Sequence, residues 1–177
     1  VIDQFDQVKV GNKNPWLTGG LSTELSYRGL SLSIRMDYAV GHHVTDYRTP
    51  EIMGNAREGA NTITLARDHT YSESNRQAKY PRYLPMDIVG KFNYNRPSSM
   101  FIYRGDYLAL REISLSYQLP KAWTKRLSMN GLELSFTAQN LGYLTAAKYV
   151  YSPEPGASGW GGYALPRVFM FGLNVGL

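Results

Sequence analysis

The chain of 177 residues contains no cysteine, and no run approaches about 18 consecutive apolar residues. Without cysteine it has no disulfide scaffold, no thiolate nucleophile and no cysteine-ligated metal site. Without a long apolar run it has no membrane-spanning helix. Its sequence also lacks phosphate-binding glycine motifs and any recognisable spacing of nucleophile, base and orienting acid.

Aromatic residues and glycine are plentiful: 13% of the chain is aromatic, with 14 Tyr, and 17 residues are Gly. Aromatics ring both interfaces of a transmembrane β-barrel while polar residues line its interior, so the mean hydropathy of −0.35 does not exclude a membrane protein.

The chain opens at Val1 without an initiating Met or an apolar targeting segment. We therefore expect a processed chain or a piece of a longer one.

Strict alternation of apolar and polar residues is the strongest pattern. Leu32 and Ile34 alternate with Ser33 and Arg35, and a period of two predicts a strand with one apolar and one polar face. The predicted strands lie near 16–28, 29–41, 106–119, 131–141 and 166–177. The first two form a hairpin that turns at Arg28-Gly29.

The third predicted strand changes parity along its length. Leu108 and Leu110 lie on the opposite parity from Ile113 and Leu115, which predicts a bulge or a change of environment near one rim.

Strand and loop lengths favour a membrane barrel. Strands of soluble sheets usually have about 5 or 6 residues, whereas about 9 to 11 tilted residues cross a bilayer. Short connections alternate with long ones, 42–105 and 142–165, as in outer-membrane barrels. A soluble sandwich or lipocalin-like barrel is the alternative.

Since bacterial barrels have an even number of strands, at least about eight, further strands must come from another chain or from a longer one.

Four blocks of the sequence resemble one known family. They are GNKNPWLTGG at 11–20, GDYLALREISLSYQLPK at 105–121, LSFTAQNL at 134–141 and PRVFMFGLNV at 166–175. In this order they resemble the C-terminal part of the SusC/RagA family, the TonB-dependent outer-membrane transporters of Bacteroidetes. The resemblance implies an all-β chain that forms the C-terminal part, about five strands, of a transmembrane barrel of about 22 antiparallel strands.

The resemblance also implies a function. The whole protein would import oligosaccharides or peptides together with a SusD-like surface lipoprotein, and the TonB complex would act on a plug domain that lies outside residues 1–177. The remaining strands of the barrel, lipopolysaccharide and outer-membrane lipid would be further partners. Loops 42–105 and 142–165 would be extracellular, and no cofactor or enzymatic activity is implied. A siderophore-type receptor is the alternative.

The long loops contain the candidates for other chemistry. The three histidines, His42, His43 and His69, are interpreted as solvated loop residues rather than metal ligands. An outer-membrane barrel enzyme, a less favoured alternative, would use His42, Asp46 and Asp68. Nine basic and six acidic residues are mixed along 42–105, which does not favour nucleic acid.

Aromatic residues of the loops are the candidates for ligand contact. Tyr80, Tyr83, Trp160 and Tyr163 could stack on sugar rings or line a peptide path. The alternative is that such rings pack the loops on each other or lie at the membrane interface.

Overall fold

A computed structural model of the chain describes residues 5, 7–54, 63–82, 94, 98–148, 150–156 and 164–176. Its strands are β1 (Leu17–Tyr27), β2 (Leu30–Val40), β3 (His43–Thr45), β4 (Ile102–Arg104), β5 (Tyr107–Gln118), β6 (Gly131–Thr145) and β7 (Val168–Gly176). Its helices are α1 (Arg48–Gly54), α2 (Thr64–Asp68) and α3 (Lys121–Thr124), with short 3₁₀ turns at Ser99–Phe101 and Lys125–Leu127. No helix among the described residues is long and apolar enough to cross a membrane.

The five long strands form one antiparallel sheet in the order β1-β2-β5-β6-β7. Contacts divide the chain into two compact units. The sheet unit comprises residues 15–41, 106–146 and 163–177, and the loop unit comprises 1–14, 42–105 and 147–162.

The hairpin between β1 and β2 turns where the sequence predicts. Tyr27 pairs with Leu30, and both residues between them have positive φ, 50° at Arg28 and 83° at Gly29. This is the backbone of a type I′ turn, whose twist matches that of the flanking strands. Gly29 also accepts a hydrogen bond of 2.8 Å from the Gln118 amide at the end of β5.

Pairing across the sheet places most large apolar residues of the long strands on one face, because directly paired residues point to the same side. One row joins Leu25, Leu32, Leu115, Phe136 and Phe171. This apolar face is open: Leu25 is 61% exposed and Phe171 84%. Among the described residues of the sheet unit, the buried hydrophobic residues are Ala39, Ala109 and Ala138.

A soluble sandwich would bury its large aliphatic and aromatic side chains between two sheets. Here those side chains are exposed on a continuous face, which is the pattern of a wall in contact with lipid.

The change of parity in β5 is a β-bulge, as predicted. Arg35 pairs with Glu112 while the next residue, Met36, pairs with Leu110, so Arg111 has no partner in β2. The extra residue returns Leu110 to the apolar face and turns Arg111 toward the polar face, where it meets Asp37.

The strands differ from the expected bounds mainly in β6. The sequence predicts its end near 141, but the strand continues to Thr145. Asn140 and Gly142 have positive φ, 55° and 151°, which is unusual inside a strand. Asn140 lies opposite the bulge of β5, and pairing with β5 resumes at Gly142 and continues to Thr145.

The loop unit has its own small core. Met53 of α1, Ala66 of α2, Tyr80, Tyr94 and Phe101 form one buried cluster. The Tyr80 and Phe101 rings stack with centroids 5.8 Å apart. A two-stranded sheet of β3 and β4 joins residues about sixty positions apart in the sequence.

Candidate functional site

The candidate site is the polar face of the sheet, which is defined here as the side opposite the apolar face. Each strand contributes every second residue to it, and the register aligns these residues in rows. Four of these rows are Gly20, Asp37, Ala109 and Tyr143; Ser22, Arg35, Glu112 and Gln139; Glu24, Ser33, Ser114, Thr137 and Met170; and Ser26, Ser31, Ser116, Ser135 and Gly172.

The strongest polar contact of this face joins β2 to the bulge of β5. Arg111 donates from Nε and Nη2 to the two carboxylate oxygens of Asp37, the second bond being 3.0 Å long. The Tyr107 hydroxyl donates to Oδ2 of the same carboxylate over 3.2 Å. A two-point pair of this kind is stronger and more directional than a single charged hydrogen bond.

Two tyrosine rings complete the group, which we call the Arg111 cluster (Asp37, Tyr107, Arg111 and Tyr143). Arg111 donates to the Tyr143 hydroxyl over 3.3 Å and places its guanidinium carbon 5.5 Å from the centre of that ring. The Tyr107 and Tyr143 rings meet edge to face with centroids 5.7 Å apart. The cluster is thus electrically neutral, half-buried and rich in hydroxyl groups.

A looser group lies on the other side of the bulge. Gln139 donates to Glu112 over 2.8 Å, and Arg35 lies 3.9 Å from the same carboxylate with 65% of its side chain exposed. Further along, the hydroxyls of Ser114 and Thr137 are 2.9 Å apart. These groups can hydrogen-bond water and polar solutes, and they balance positive with negative charge along the wall.

The predicted ligand-contact residues are only partly placed. Tyr80 lies in the core of the loop unit and is 2% exposed. Tyr83, Trp160 and Tyr163 lie outside the described residues. Ligand contact by these four residues stays a prediction.

The candidates for metal binding or catalysis have separate local contacts. His42 is buried, not solvated as expected, and its Nε2 lies 2.8 Å from the carbonyl oxygen of Pro153. Asp46 is also buried, and its Oδ1 accepts 3.0 Å hydrogen bonds from the amides of Arg48 and Thr49 at the start of α1. In the parts of the chain that the structure describes, no three His, Asp or Glu side chains are grouped to hold a metal ion.

Asp68 lies on the surface beside Arg67. The Arg67 Nε donates to Asp68 Oδ1 over 2.5 Å, and this hydrogen bond holds the pKa of the Asp68 carboxyl below its usual value. The pair is a local surface contact between neighbours in sequence.

Sequence reasoning missed the Arg111 cluster. Alternation places Asp37 on the polar face, but its partner depends on the cross-strand register and on the extra residue in β5. The parity change between Leu110 and Ile113 predicts the bulge. It does not predict that Arg111 is the residue whose side chain the bulge turns toward Asp37.

Comparison with known proteins shows which proteins the chain is similar to. The chain is 24% identical to TonB-dependent receptor P3 of Formosa agariphila over 189 aligned positions that cover 98% of this chain. Its fold matches the RagAB peptide importer in the open-open state with a TM-score of 0.68, at 23% identity over 93% of this chain. It matches the structure of the RagAB peptide transporter with a TM-score of 0.67, at 22% identity over 89% of this chain.

The chain has the fold of a segment of the RagAB transporter barrel, and its sequence is similar to that of a TonB-dependent receptor. This confirms the predicted resemblance, the fold class and the outer membrane as the location. The segment spans 18% of the length of the Formosa receptor and 17% of the two RagAB transporter chains. No family model matches it.

The likeness of this sheet to the wall of a barrel indicates what surrounds each of its two faces. In a transmembrane barrel, outward residues meet lipid and inward residues meet the lumen. The apolar face is the lipid side, and the polar face with the Arg111 cluster is the lumen side.

Proposed function

We propose that this chain forms part of the wall of a TonB-dependent outer-membrane importer that takes up oligosaccharides or peptides together with a SusD-like surface lipoprotein. The observation that carries the proposal is the two-faced sheet, with open apolar side chains on one face and rows of serine, threonine and paired charges on the other. The similarities to a TonB-dependent receptor and to a peptide importer support it.

The role of this segment is mainly structural. Its polar face offers a wet, hydrogen-bonding surface past which a polar solute moves, and on it Arg111 and Asp37 neutralise each other. Energy from the TonB complex would act on a plug domain, and the wall would stay fixed while the plug rearranges.

The short connections are proposed to face the periplasm and the long ones the outside, as in other outer-membrane barrels. The short ones are the turn at Gly29 and the connection from Leu119 to Asn130. The long ones carry the loop unit, where Tyr80, Tyr83, Trp160 and Tyr163 remain proposed ligand contacts. Because Tyr80 is buried, its part would be to hold the neighbouring chain in place.

The function is tested on the full-length transporter that contains this chain, in its native outer membrane. We expect a surface lipoprotein to co-purify with it, and uptake of a labelled oligosaccharide or peptide to stop when TonB is deleted. Isolation without a lipoprotein, combined with uptake of ferric siderophores only, would contradict the proposal. Hydrolysis of the substrate that is lost in His42→Ala would instead support the enzyme alternative.

The topology has a separate test, which benefits from the absence of cysteine in this chain. In intact cells a membrane-impermeant maleimide should label Ser74→Cys in the loop unit. It should label Arg28→Cys in the β1–β2 turn only after the outer membrane is permeabilised. The reverse pattern would contradict the proposed orientation.

A further inference from the structure

One end of the sheet carries charge of a single sign. We call Arg28, Lys121, Lys125 and Arg126 the basic rim; all four are exposed. No acidic residue occurs in 27–32 or 117–132, the two segments that contain them. Within the part of the chain that the structure describes, these four side chains have no carboxylate partner, unlike Arg35, Arg67 and Arg111.

Backbone hydrogen bonds hold the two segments of the rim together. The Gln118 amide donates to the Gly29 carbonyl over 2.8 Å, and the Leu119 amide donates to Leu132 over 2.9 Å. In the connection between β5 and β6, Thr124 is buried and accepts a 3.0 Å bond from the Met129 amide through its carbonyl. The rim is therefore a folded surface rather than two independent loops.

Aromatic side chains accompany the charges. Tyr27 ends the apolar face in a row with Leu30 and Tyr117, and it is 69% exposed. The guanidinium carbon of Arg28 lies 5.2 Å from the centre of the Tyr27 ring, which places this cation at the border of the apolar face. Trp123, between Lys121 and Lys125, is 61% exposed. Tyrosine and tryptophan at such borders lie at the level of lipid headgroups.

We propose that the basic rim binds the phosphates of anionic phospholipids in the periplasmic leaflet of the outer membrane. Four cations without internal partners, next to exposed aromatic rings at the end of a lipid-facing surface, match a negative headgroup above apolar chains. The choice of phospholipid over lipopolysaccharide rests on the proposed topology, in which the short connections are periplasmic.

The test uses the purified full-length transporter in detergent with equal amounts of phosphatidylglycerol and phosphatidylcholine, and native mass spectrometry counts the bound lipids. The rim variant changes Arg28, Lys121, Lys125 and Arg126 to Gln. The control variant changes two other arginines and two other lysines to Gln, all exposed and outside the rim: Lys13, Arg48, Arg76 and Lys148. A third variant, Lys121→Arg/Lys125→Arg, keeps the charge.

We expect the wild type, the control and the charge-keeping variant to prefer phosphatidylglycerol, and the rim variant to lose that preference by about fivefold or more. An unchanged preference in the rim variant would overturn the proposal, as would an equal loss in the control. A parallel titration uses lipid A in place of phosphatidylglycerol. If the rim variant loses binding of lipid A but keeps its preference for phosphatidylglycerol, the proposal is also overturned. Labelling of Arg28→Cys from outside intact cells would refute the topology, whatever the lipid preference.

Discussion

A charge in the middle of the apolar face should destabilise the barrel far more than the same charge one residue away. Ile113 lies at the middle of that face, paired with Ile34 of β2 and Ala138 of β6. Ile34 is four positions along β2 from Leu30, near one border of the face, and four positions from Tyr38, near the other. At roughly 3.3 Å per residue and a tilt of roughly 40°, Ile113 is about 10 Å from either border.

Arginine on the lipid face costs about 2 to 4 kcal/mol at the bilayer midplane and about 0 to 1 kcal/mol near the interfaces. We therefore expect Ile113→Arg to lower the free energy of unfolding by about 3 kcal/mol. Ser114→Arg, on the lumen side, should cost only about 1 kcal/mol, because it loses the hydrogen bond to Thr137 and exposes its charge to water.

The assay is guanidinium unfolding of the full-length protein in phospholipid vesicles, followed by tryptophan fluorescence. Tyr117→Arg, which lies in the border row with Leu30, serves as the control for depth and should cost less than Ile113→Arg. The reasoning fails if Ser114→Arg is as costly as Ile113→Arg, because the two faces would then not differ in their surroundings.

Three further substitutions test other parts of the structure. Arg111→Ala leaves the half-buried Asp37 carboxylate without a cation, with only the Tyr107 hydroxyl still donating to it, and should cost about 1 to 2 kcal/mol in the same unfolding assay. Gly29→Ala places a Cβ 2.8 Å from the Gln118 carbonyl oxygen at a φ of 83°, so we expect a loss of about 1 to 2 kcal/mol. Tyr80→Ala removes a ring stacked in the loop core and should cost about 3 kcal/mol, seen as faster proteolysis of the loop unit on intact cells.

Each of these changes has a matched control in the chain. Arg35→Ala removes a mostly exposed partner at 3.9 Å and should cost less than about 0.5 kcal/mol. Gly131→Ala meets no atom within 4 Å. Tyr71→Ala removes a ring that is 44% exposed. If a control substitution lowers stability as much as the substitution it is matched with, the contact assigned to the latter is refuted.

The sequence predicts the sheet well because alternation is a local property of each strand. The alternation at Ile34 and Arg35 predicts the two faces of β2 without any information about neighbouring strands. The turn at Arg28-Gly29 is likewise local, because it depends on the positive φ of these two residues. The parity change before Ile113 reveals the bulge for the same reason.

Long-range features could not be predicted in this way. The Arg111–Asp37 pair depends on the register between β2 and β5, which lie more than sixty residues apart in the sequence. The continuation of β6 past Gly142 depends on pairing with β5 beyond the bulge. Burial of His42 depends on the loop unit, where short segments from distant parts of the chain meet.

The most direct test of the central claim is a cysteine scan along β5, the middle strand of the sheet. Ile113, Ser114, Leu115 and Ser116 are changed to Cys one at a time in the full-length transporter in nanodiscs, and the rate of reaction with a water-soluble maleimide is measured. The account predicts fast reaction at 114 and 116 and slow reaction at 113 and 115. Equal rates at all four positions, or faster reaction at 113 and 115, would contradict a wall with lipid on one face and water on the other.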